Sequence, residues 1–432
     1  MKKTYQKSAE SASADVVMPE EVTIGLAEIA ASAKEGLLAL AVGTGLQVME
    51  AMFASDVERL CGPKNKHNSE RVGYRHGTGD GSVTLGGRRL PVRRPRMRAS
   101  DGSEELGLPS YALFSSTEVL GRLAMERMLA GLSSRRYRVG LEPVGEKIEG
   151  AAAGTSRSAV SRRFIAATET ALAELLARPL DGLDLVAIMI DGVHFAEHCC
   201  VVALGIDIMG VKHPLALVEG STENATLARE LLVGLRERGL DATRPVLAVI
   251  DGAKALRRAV LDVFDHPVIQ RCQQHKIKNV RDRLPERLRG VVEQRMRAAY
   301  RAESAVEAEA QLLSLARELE RTHPGAAVSL REGLPETLTV TRLGLPPTLI
   351  RTMRSTNPVE SMLSICREHA ANVKRWQGGQ MALRWCAAGM LEAQKQFRRV
   401  NGHLHLPALR AALESEVHAQ TIDEECYNEH IA

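Results

Sequence analysis

Two apolar segments of the sequence each end on an aspartate that is followed by glycine. Asp191 lies in "LVAIMIDGVHF" and Asp251 in "PVLAVIDGAKAL". A carboxylate at the edge of a core costs on the order of several kcal/mol unless it is paired, hydrogen-bonded or metal-bound. Taken singly, an Asp-Gly pair is typical of an ordinary turn at a strand end, where glycine permits a sharp bend. Two such ends in one sheet, however, predict that both acids share one site.

A third acid follows much later in the chain. The segment "STNPVES" contains Glu360, with Asn357 as the predicted N-cap and Pro358 at the first helical position. A glutamate three residues after an N-cap is also typical of a capping box, so an ordinary structural role stays open. Three carboxylates from two strands and a helix form a set of hard oxygen ligands that suits Mg²⁺. Two such ions, roughly 3.5–4 Å apart, are an arrangement used for phosphoryl transfer.

The elements that position these acids follow from the apolar patterns. We expect strands at about 184–191, 199–207 and 212–219, a helix that ends at Gly239, a strand at 245–251, a helix from 253 and a strand at 267–272. Three strands in succession, followed by strands that alternate with helices, indicate a mixed α/β sheet. Its early strands are expected to be antiparallel and its later ones to belong to crossover units.

The rest of the chain has a different character on either side of this sheet. We predict a disordered lead at 1–18, a helical segment with an arginine-rich β-hairpin at 19–115, a helix-turn-helix-like region at 116–180, a catalytic core at 181–274 and 346–400, an all-helical insertion at 275–345 and an acidic tail at 401–432. Within the helix-turn-helix-like region, two short helices are expected to join at Gly154.

Positive charge is concentrated although the net charge is only +4. Basic residues of the hairpin, basic and hydroxyl residues in "GTSRSAVSRRF" and lysines that follow Asp251 are candidate DNA contacts. They are Arg88, Arg89, Arg93, Arg94, Arg96, Ser156, Arg157, Ser161, Arg162, Lys254, Lys276 and Lys278. Solvated surface and an ordinary helical hairpin are the alternatives. An aromatic content of 3% argues against extensive stacking on single strands and favours duplex DNA.

The cellular setting is expected to be the cytoplasm. The seven cysteines are widely spaced and do not resemble a disulfide framework, which favours a reducing compartment. The first residues lack the apolar core of a signal peptide, and the longest uncharged stretch is too short to span a bilayer.

The order of the motifs resembles that of a known family. The phrases "IDGVHF", "VVALGIDIMGVKHPLALVEGSTEN", "VIDGAKALRRAVLDVF", "VIQRCQQHKIKN" and "RSTNPVES" are similar to those of prokaryotic Mutator-type insertion-sequence DDE transposases. The resemblance implies a ribonuclease-H-like core in which Asp191, Asp251 and Glu360 are the catalytic, metal-binding acids. Cys272 and His275 match a Cys-x-x-His signature of the family. A structural or substrate-positioning role is expected for them, because a zinc site would need two further ligands.

The same resemblance implies a reaction and its partners. The expected activity is binding of terminal inverted repeats, then metal-dependent cleavage and strand transfer with two Mg²⁺ ions, for which Mn²⁺ substitutes. The expected partners are double-stranded DNA of the transposon ends and of the target, together with a second copy or more of the chain, and no membrane. Three alternatives remain open at this point: a ribonuclease-H-like nuclease without strand transfer, a non-catalytic DNA-binding regulator, and a structural zinc protein.

Overall fold

The computed structural model describes residues 36–429 except for 67, 142–143, 145 and 221–224. The predicted lead at 1–18 therefore lies outside the described residues. The chain divides into two compact units, one made of the residues up to Leu123 with Ser134–Ser161, and the other of Ala124–Ser133 with the residues from Arg162 onward. Over the described residues, no helix is both long enough and apolar enough to cross a bilayer.

The first unit contains the predicted β-hairpin. Strand β1 pairs antiparallel with β2, and β2 pairs with the short strand β3. The turn between β1 and β2 consists of Gly86 and Gly87, both with positive φ, which is the geometry that two-residue hairpins prefer. The unit's elements are α1 (Gly36–Cys61), β1 (Gly73–Leu85), β2 (Arg88–Ala99), β3 (Glu105–Leu106), α2 (Pro109–Ser115), α3 (Glu118–Leu129), which continues into the second unit, and α4 (Glu146–Ala151).

Gly154 separates two helices, as predicted, and its φ of +81° is one that glycine adopts without strain. The prediction of two short helices was wrong for the second one. Helix α5 (Arg157–Ala177) has 21 residues, because its apolar side chains, Phe164 and Leu175 among them, pack into the core of the second unit.

The second unit is built on a mixed sheet of five strands. They are β4 (Leu185–Phe195), β5 (His198–Asp207), β6 (Lys212–Gly220), β7 (Val246–Ile250) and β8 (Pro267–Arg271), in the spatial order β6-β5-β4-β7-β8. The pairs β4–β5 and β5–β6 are antiparallel, whereas β4–β7 and β7–β8 are parallel. The predicted mixed α/β sheet and the change of strand direction within it are confirmed.

Side chains of each central strand alternate between two cores. Ile188 and Ile190 of β4 point toward the face covered by α6 (Ala225–Glu237) and α7 (Lys254–Val263). Met189 and Val193 point toward the opposite face, which is covered by helices from the last third of the chain. By the same alternation Asp191 belongs to this opposite face.

Between the sheet and those last helices the chain forms a helical block with its own core. Its buried residues include Met296, Leu312 and Leu330. The block comprises α8 (Gln273–Arg281), α9 (Glu286–Ala299), α10 (Ala305–Glu320), α11 (Pro324–Arg331), α12 (Leu334–Thr337) and α13 (Thr339–Arg342).

The helical block also covers the edge of the sheet at β8. The Gln270 side-chain amide donates to the carbonyl of Thr337 and accepts from the backbone N–H of Val340, both at 2.9 Å. The Thr339 hydroxyl donates to the carbonyl of Ile269 at 2.7 Å. These bonds occupy polar groups that an uncovered edge strand would expose to another chain.

The remaining helices cover the sheet face to which Asp191 belongs. They are α14 (Pro347–Met353), α15 (Asn357–Ala370), α16 (Gly379–Lys395) and α17 (Leu406–Glu429), with a 3₁₀ turn at His403–His405. The first turns of α17 are packed rather than solvated, since Leu406, Leu409 and Leu413 are fully buried. Arg410 ties this helix to the sheet by donating to Asp184 Oδ1 and to the carbonyls of Leu185 and Pro245.

Close contact between α15 and α16 generates a stability prediction. A Cβ added at Gly389 of α16 would lie 2.9 Å from Cys366 Cα and 3.0 Å from its sulfur, so Gly389→Ala is expected to overpack this contact. We expect the free energy of unfolding to fall by about 1–3 kcal/mol in chemical denaturation. The matched control is Gly234→Ala within α6, where a Cβ meets no atom within 4 Å. It should raise stability by about 0.5–1 kcal/mol, and equal effects of the two substitutions would contradict the prediction.

Candidate active site

Parallel pairing of β4 with β7 places the first two acids beside each other. Ile190 and Ile250 are register partners, so Asp191 and Asp251 are the next residues on two adjacent strands. Neighbouring strands lie about 4.8 Å apart. Leu247 and Val249 belong to the core on the α15 side, so Asp251 follows the same alternation toward that face as Asp191 does.

The two Asp-Gly pairs differ in backbone structure. Gly252 has a φ of +102° and lets the chain turn from β7 into α7, as predicted. The predicted sharp turn at Gly192 was wrong. Strand β4 continues through Asp191, which pairs with Val202 of β5, and ends only at Phe195. Asp191 is therefore the point at which pairing with the short strand β7 stops, whereas pairing with β5 goes on.

Backbone amides hold one oxygen of each aspartate. Asp191 Oδ1 accepts from the N–H of Gly192 at 2.9 Å, and Asp251 Oδ1 accepts from the N–H of Ala253 at 2.8 Å. Among the residues that the structure describes, none donates a hydrogen bond to either Oδ2 atom. Each carboxylate is thus fixed in orientation and keeps one oxygen available for a ligand.

Burial, together with the negative charges of Glu360 and Asp251, raises the pKa of Asp191 to about 6. The Gly192 amide and the charge of His275 oppose this shift without cancelling it. The raised pKa therefore reflects three acids close together in a poorly hydrated environment. A bound cation would reduce the repulsion between their negative charges.

Glu360 lies in the first turn of α15, and Thr356 orients it. The Thr356 hydroxyl donates to Glu360 Oε1 at 2.5 Å. The prediction of Asn357 as N-cap and Pro358 as the first helical residue was wrong by one position, because Thr356 is the N-cap and Asn357 is the first helical residue. Glu360 is therefore one residue beyond the capping-box position, and its carboxylate faces a side chain instead of the N-cap amide.

Cys272 and His275 support the same threonine from the opposite side. The Cys272 sulfur is fully buried and accepts from the backbone N–H groups of His275 and Thr356, both at 3.5 Å. It also lies 3.4 Å from the Thr356 hydroxyl, whose oxygen is 3.3 Å from His275 Nδ1. A hydroxyl has one proton, and the nearer acceptor, Glu360 Oε1, takes it.

The charges of this group are coupled. A hydrogen bond to Cys272 raises the pKa of His275 to about 9, although burial opposes the shift. Burial raises the pKa of Cys272, but hydrogen bonds from His275 and Thr356 outweigh it and bring the pKa below its usual value. His275 is therefore protonated at neutral pH, and its Nδ1 donates to Thr356, which in turn donates to Glu360.

These residues differ in how tightly they cluster. One ligand atom each from Cys272, His275 and Glu360 lies within 4.8 Å of the other two. In the described part of the chain, Asp191, Asp251 and Glu360 do not form so tight a set. The ligand atoms of the three acids are therefore spread more widely than those of the Cys272, His275 and Glu360 set, to which Glu360 also belongs.

Sequence reasoning did not single out Thr356, although it lies in the quoted phrase "RSTNPVES". A buried hydroxyl directly before a helix that carries an acid could have indicated it. Asn357, its neighbour, is exposed.

The arginines predicted to bind DNA divide into internal and exposed groups. Arg88 is 1% exposed and forms an ion pair with Glu149. Arg89 donates to the backbone and hydroxyl of Ser82. Arg93, Arg94 and Arg96 reach the surface to a greater extent, but the first pairs with Asp80 and the other two share Glu105.

The predicted contacts in and near helix α5 are accessible. Ser156, Arg157 and Arg162 are exposed and Ser161 is half-buried. The Ser156 hydroxyl accepts from the N–H of Ala159, which caps the start of the helix.

The three lysines near the acids have different surroundings. Lys254 and Lys278 are exposed. Lys276 is 4% exposed, and its ammonium donates to the carbonyl of Ser329 at 2.7 Å and to that of Glu332. Burial lowers its pKa to about 8. This lysine ties α8 to the end of α11 and has no surface to offer DNA.

Fold and site together define an α/β protein in which adjacent parallel strands and a helix bring three acids to one face of a mixed sheet. The model of the Mutator family of transposases matches residues 20–400, and the chain belongs to this family.

Individual relatives carry the same description. The transposase of insertion sequence element IS6120 from Mycolicibacterium smegmatis is 30% identical over 288 residues, which are 65% of this chain and 86% of that protein. The transposase of ISRM5 from Rhizobium meliloti is 25% identical over 370 residues, 84% of this chain and 90% of that protein. The transposase of IST2 from Acidithiobacillus ferrooxidans is 27% identical over 176 residues, 41% of this chain and 58% of that protein.

The hydrogen bond between Cys272 and His275 predicts a measurable change in His275. In Cys272→Ser a hydroxyl replaces the sulfur that raises the pKa of His275, so this pKa is expected to fall from about 9 toward its ordinary value. Titration of the histidine ring protons by NMR measures this, with His275→Gln used to assign the signal. Cys61→Ser, which replaces a buried cysteine of the other unit, is the control and should leave the titration unchanged. An unaltered His275 titration in Cys272→Ser would refute the contribution of Cys272.

Proposed function

We propose that this chain is a transposase that binds the terminal inverted repeats of its insertion sequence and catalyses metal-dependent DNA cleavage and strand transfer. The observation that carries the proposal is the in-register placement of Asp191 and Asp251 on adjacent parallel strands, together with Glu360 on the helix that covers the same sheet face. Family membership supports the same reading. We assign the mixed sheet to a ribonuclease-H-like core.

The donor set fits Mg²⁺, and Mn²⁺ should substitute for it. Asp191 and Asp251 each keep Oδ2 available, and carboxylate oxygens are the ligands that these ions prefer. Two bound ions would supply activation of the attacking oxygen and stabilisation of the leaving one. The more compact set with Cys272 and His275 is less suited to a metal, because the sulfur accepts two amide N–H groups and Nδ1 is protonated toward Thr356.

The residues then have separate tasks in two phosphoryl transfers. In the first, a water oxygen forms a bond to the phosphorus at the transposon end, the bond to the 3′ oxygen breaks, and a 3′-hydroxyl and a 5′-phosphate result. In the second, that hydroxyl forms a bond to a phosphorus of the target strand and displaces the target's 3′ oxygen. The acids position these reactants, and the Cys272–His275–Thr356 group keeps Glu360 in one orientation while the substrates exchange.

DNA recognition in this proposal uses the accessible basic residues. Arg157 and Arg162, with Lys254 and Lys278, are exposed and can meet phosphates. Lys276, Arg88 and Arg89 are left out, because their polar atoms are engaged inside the protein. Bringing two transposon ends together requires two copies of the chain or more, so we also propose a homodimer or a higher assembly.

Replacing the acids one at a time tests the reaction. In Asp191→Asn, Asp251→Asn and Glu360→Gln, we expect cleavage of end-containing duplex DNA to slow by about 1,000-fold, or roughly 4 kcal/mol of barrier. Binding of the DNA should persist, because these acids are not DNA-binding groups. Gel assays of nicked and joined products with Mg²⁺ measure both steps.

The control variant is Asp265→Asn, an exposed acid of the same unit, which should react normally. Product that is cut but never joined would indicate a nuclease. Specific binding by the unmodified chain with neither product would indicate a regulator. Cleavage that persists in all three acid variants would reject the assigned site.

The raised pKa of Asp191 predicts how metal binding depends on pH. Above about pH 6 the carboxyl is ionised and can bind a cation, whereas below it a proton must first leave. Affinity for Mn²⁺, measured by electron paramagnetic resonance, is therefore expected to fall by up to about tenfold per pH unit as the pH drops below 6. Asp191→Asn should bind more weakly and lose this component of the pH dependence. Equal affinity of the unmodified protein at pH 5 and pH 7 would contradict the prediction.

A further inference from the structure

A basic groove lies beside the start of α15 and is not among the sites that the sequence indicated. Its volume is about 400 Å³, and it combines Lys212 from β6, Arg351 from α14 and both Arg398 and Arg399 from the segment after α16. We call it the α15 groove. Asn357 and Ser361 of α15 complete its polar lining.

The positive charge of the α15 groove is not neutralised within the protein. None of its four cations forms an ion pair with an aspartate or glutamate of the described residues. Arg351, Arg398 and Arg399 are exposed, whereas Lys212 is half-buried and burial lowers its pKa. Burial lowers the pKa of the nearby Arg354, and the positive charges of Arg301 and Arg351 act in the same direction.

A second basic groove in the same unit shows the contrast. It is lined by Lys254, Arg257, Arg258 and Arg271. Arg257 and Arg271 both pair with Glu336, and Arg258 pairs with Asp262. Most cations of that groove therefore form ion pairs with acids of the protein itself. In the α15 groove they converge from three parts of the chain without an acidic partner among the described residues, at a cost in repulsion that a bound anion would offset.

The position of the α15 groove connects it to the third acid. Ser361 is the residue after Glu360, and Asn357 is the first residue of the same helix. The 14-residue helix directs its unpaired amide groups and the positive end of its dipole to this end. The cations therefore flank the candidate active site, on the side from which α15 begins.

The donors of the α15 groove suit phosphates better than bases. Its polar side chains are ammonium, guanidinium, amide and hydroxyl groups, and a guanidinium can bind two phosphate oxygens at once. The ring of Phe397, the residue before Arg398, has the ammonium of Lys212 over its face at 4.6 Å, so this face is not open to a stacking base. Contacts of this kind hold a DNA backbone in register without reading its sequence.

We propose that the α15 groove binds the phosphodiester backbone of the DNA strand that enters the active site. This inference rests on the proposed function for the identity of the strand. Its prediction about binding concerns DNA affinity alone and does not require any reaction.

Salt dependence of DNA binding tests the proposal. Arg398→Gln/Arg399→Gln in the full-length chain removes two cations of the groove. The control Arg295→Gln/Arg331→Gln removes two arginines that pair with Glu318 and Glu320, so the net charge changes equally. Binding to end-containing duplex, to unrelated duplex and to single-stranded DNA is measured by fluorescence anisotropy without divalent metal.

Loss of two phosphate contacts should flatten the slope of log K against log salt concentration by about 1.8 for duplex DNA or about 1.4 for a single strand. The two duplexes should be affected equally, since the groove reads no bases, and the probe whose slope changes identifies the form of DNA held. The control should keep the slope of the unmodified protein. A slope that stays unchanged in the groove variant, or that changes as much in the control, overturns the proposal.

Two further measurements distinguish loss of the groove from misfolding and from failure of the proposed function. If the double variant fails to fold, as judged by its circular dichroism and thermal unfolding, Arg351→Gln replaces it, with an expected change in slope of about 0.9 for duplex DNA. Glu360→Gln is measured in parallel and should keep the full slope. If the acid variants still cleave DNA, the proposed function fails while a flattened slope in the groove variant still supports the groove.

Discussion

Parallel pairing between β4 and β7 is the constraint on which the candidate site depends. It brings Ile190 level with Ile250, and thereby makes Asp191 and Asp251 neighbours at the place where β7 ends. A shift of one residue would turn one of these acids toward the α6–α7 core, because side chains alternate between the faces. Apolar packing on both faces of the sheet therefore fixes the register of β4 and β7, and with it the relative position of the two aspartates.

Crowding of acids on a half-buried face is unfavourable, and the structure counters it by orienting them. Backbone amides hold the two aspartates, and Glu360 is held through Thr356 by His275 and Cys272. The pKa of His275 is raised to about 9, so this residue stays protonated at neutral pH. It can therefore keep donating to Thr356, which holds Glu360 in one orientation.

The sequence was sufficient to predict the secondary structure elements that local residue patterns determine. Continuous apolar runs predicted the five strands, and the arginine-rich β-hairpin was predicted within 19–115. The sequence did not predict the surroundings of side chains whose contacting residues lie in distant segments of the chain. Lys276 reads as a surface cation, yet the carbonyls of Ser329 and Glu332 bury it. Likewise, no local pattern connects Lys212 with Arg398, because only the packing of α16 against the sheet places them in one groove.

The chain leaves the sheet after β8 and returns to nearly the same place after α14. The N–H of Gln273, at the start of α8, donates to the carbonyl of Arg354 at 3.0 Å, directly after α14, and the Cys272 sulfur accepts from the N–H of Thr356. The helical block within this segment has its own core, as tolerated insertions do. Relatives could lengthen, shorten or exchange its outer helices while the spacing of the acids stays the same. What such an exchange would have to preserve is α8, which carries His275, and the seam along Gln270 and Thr339.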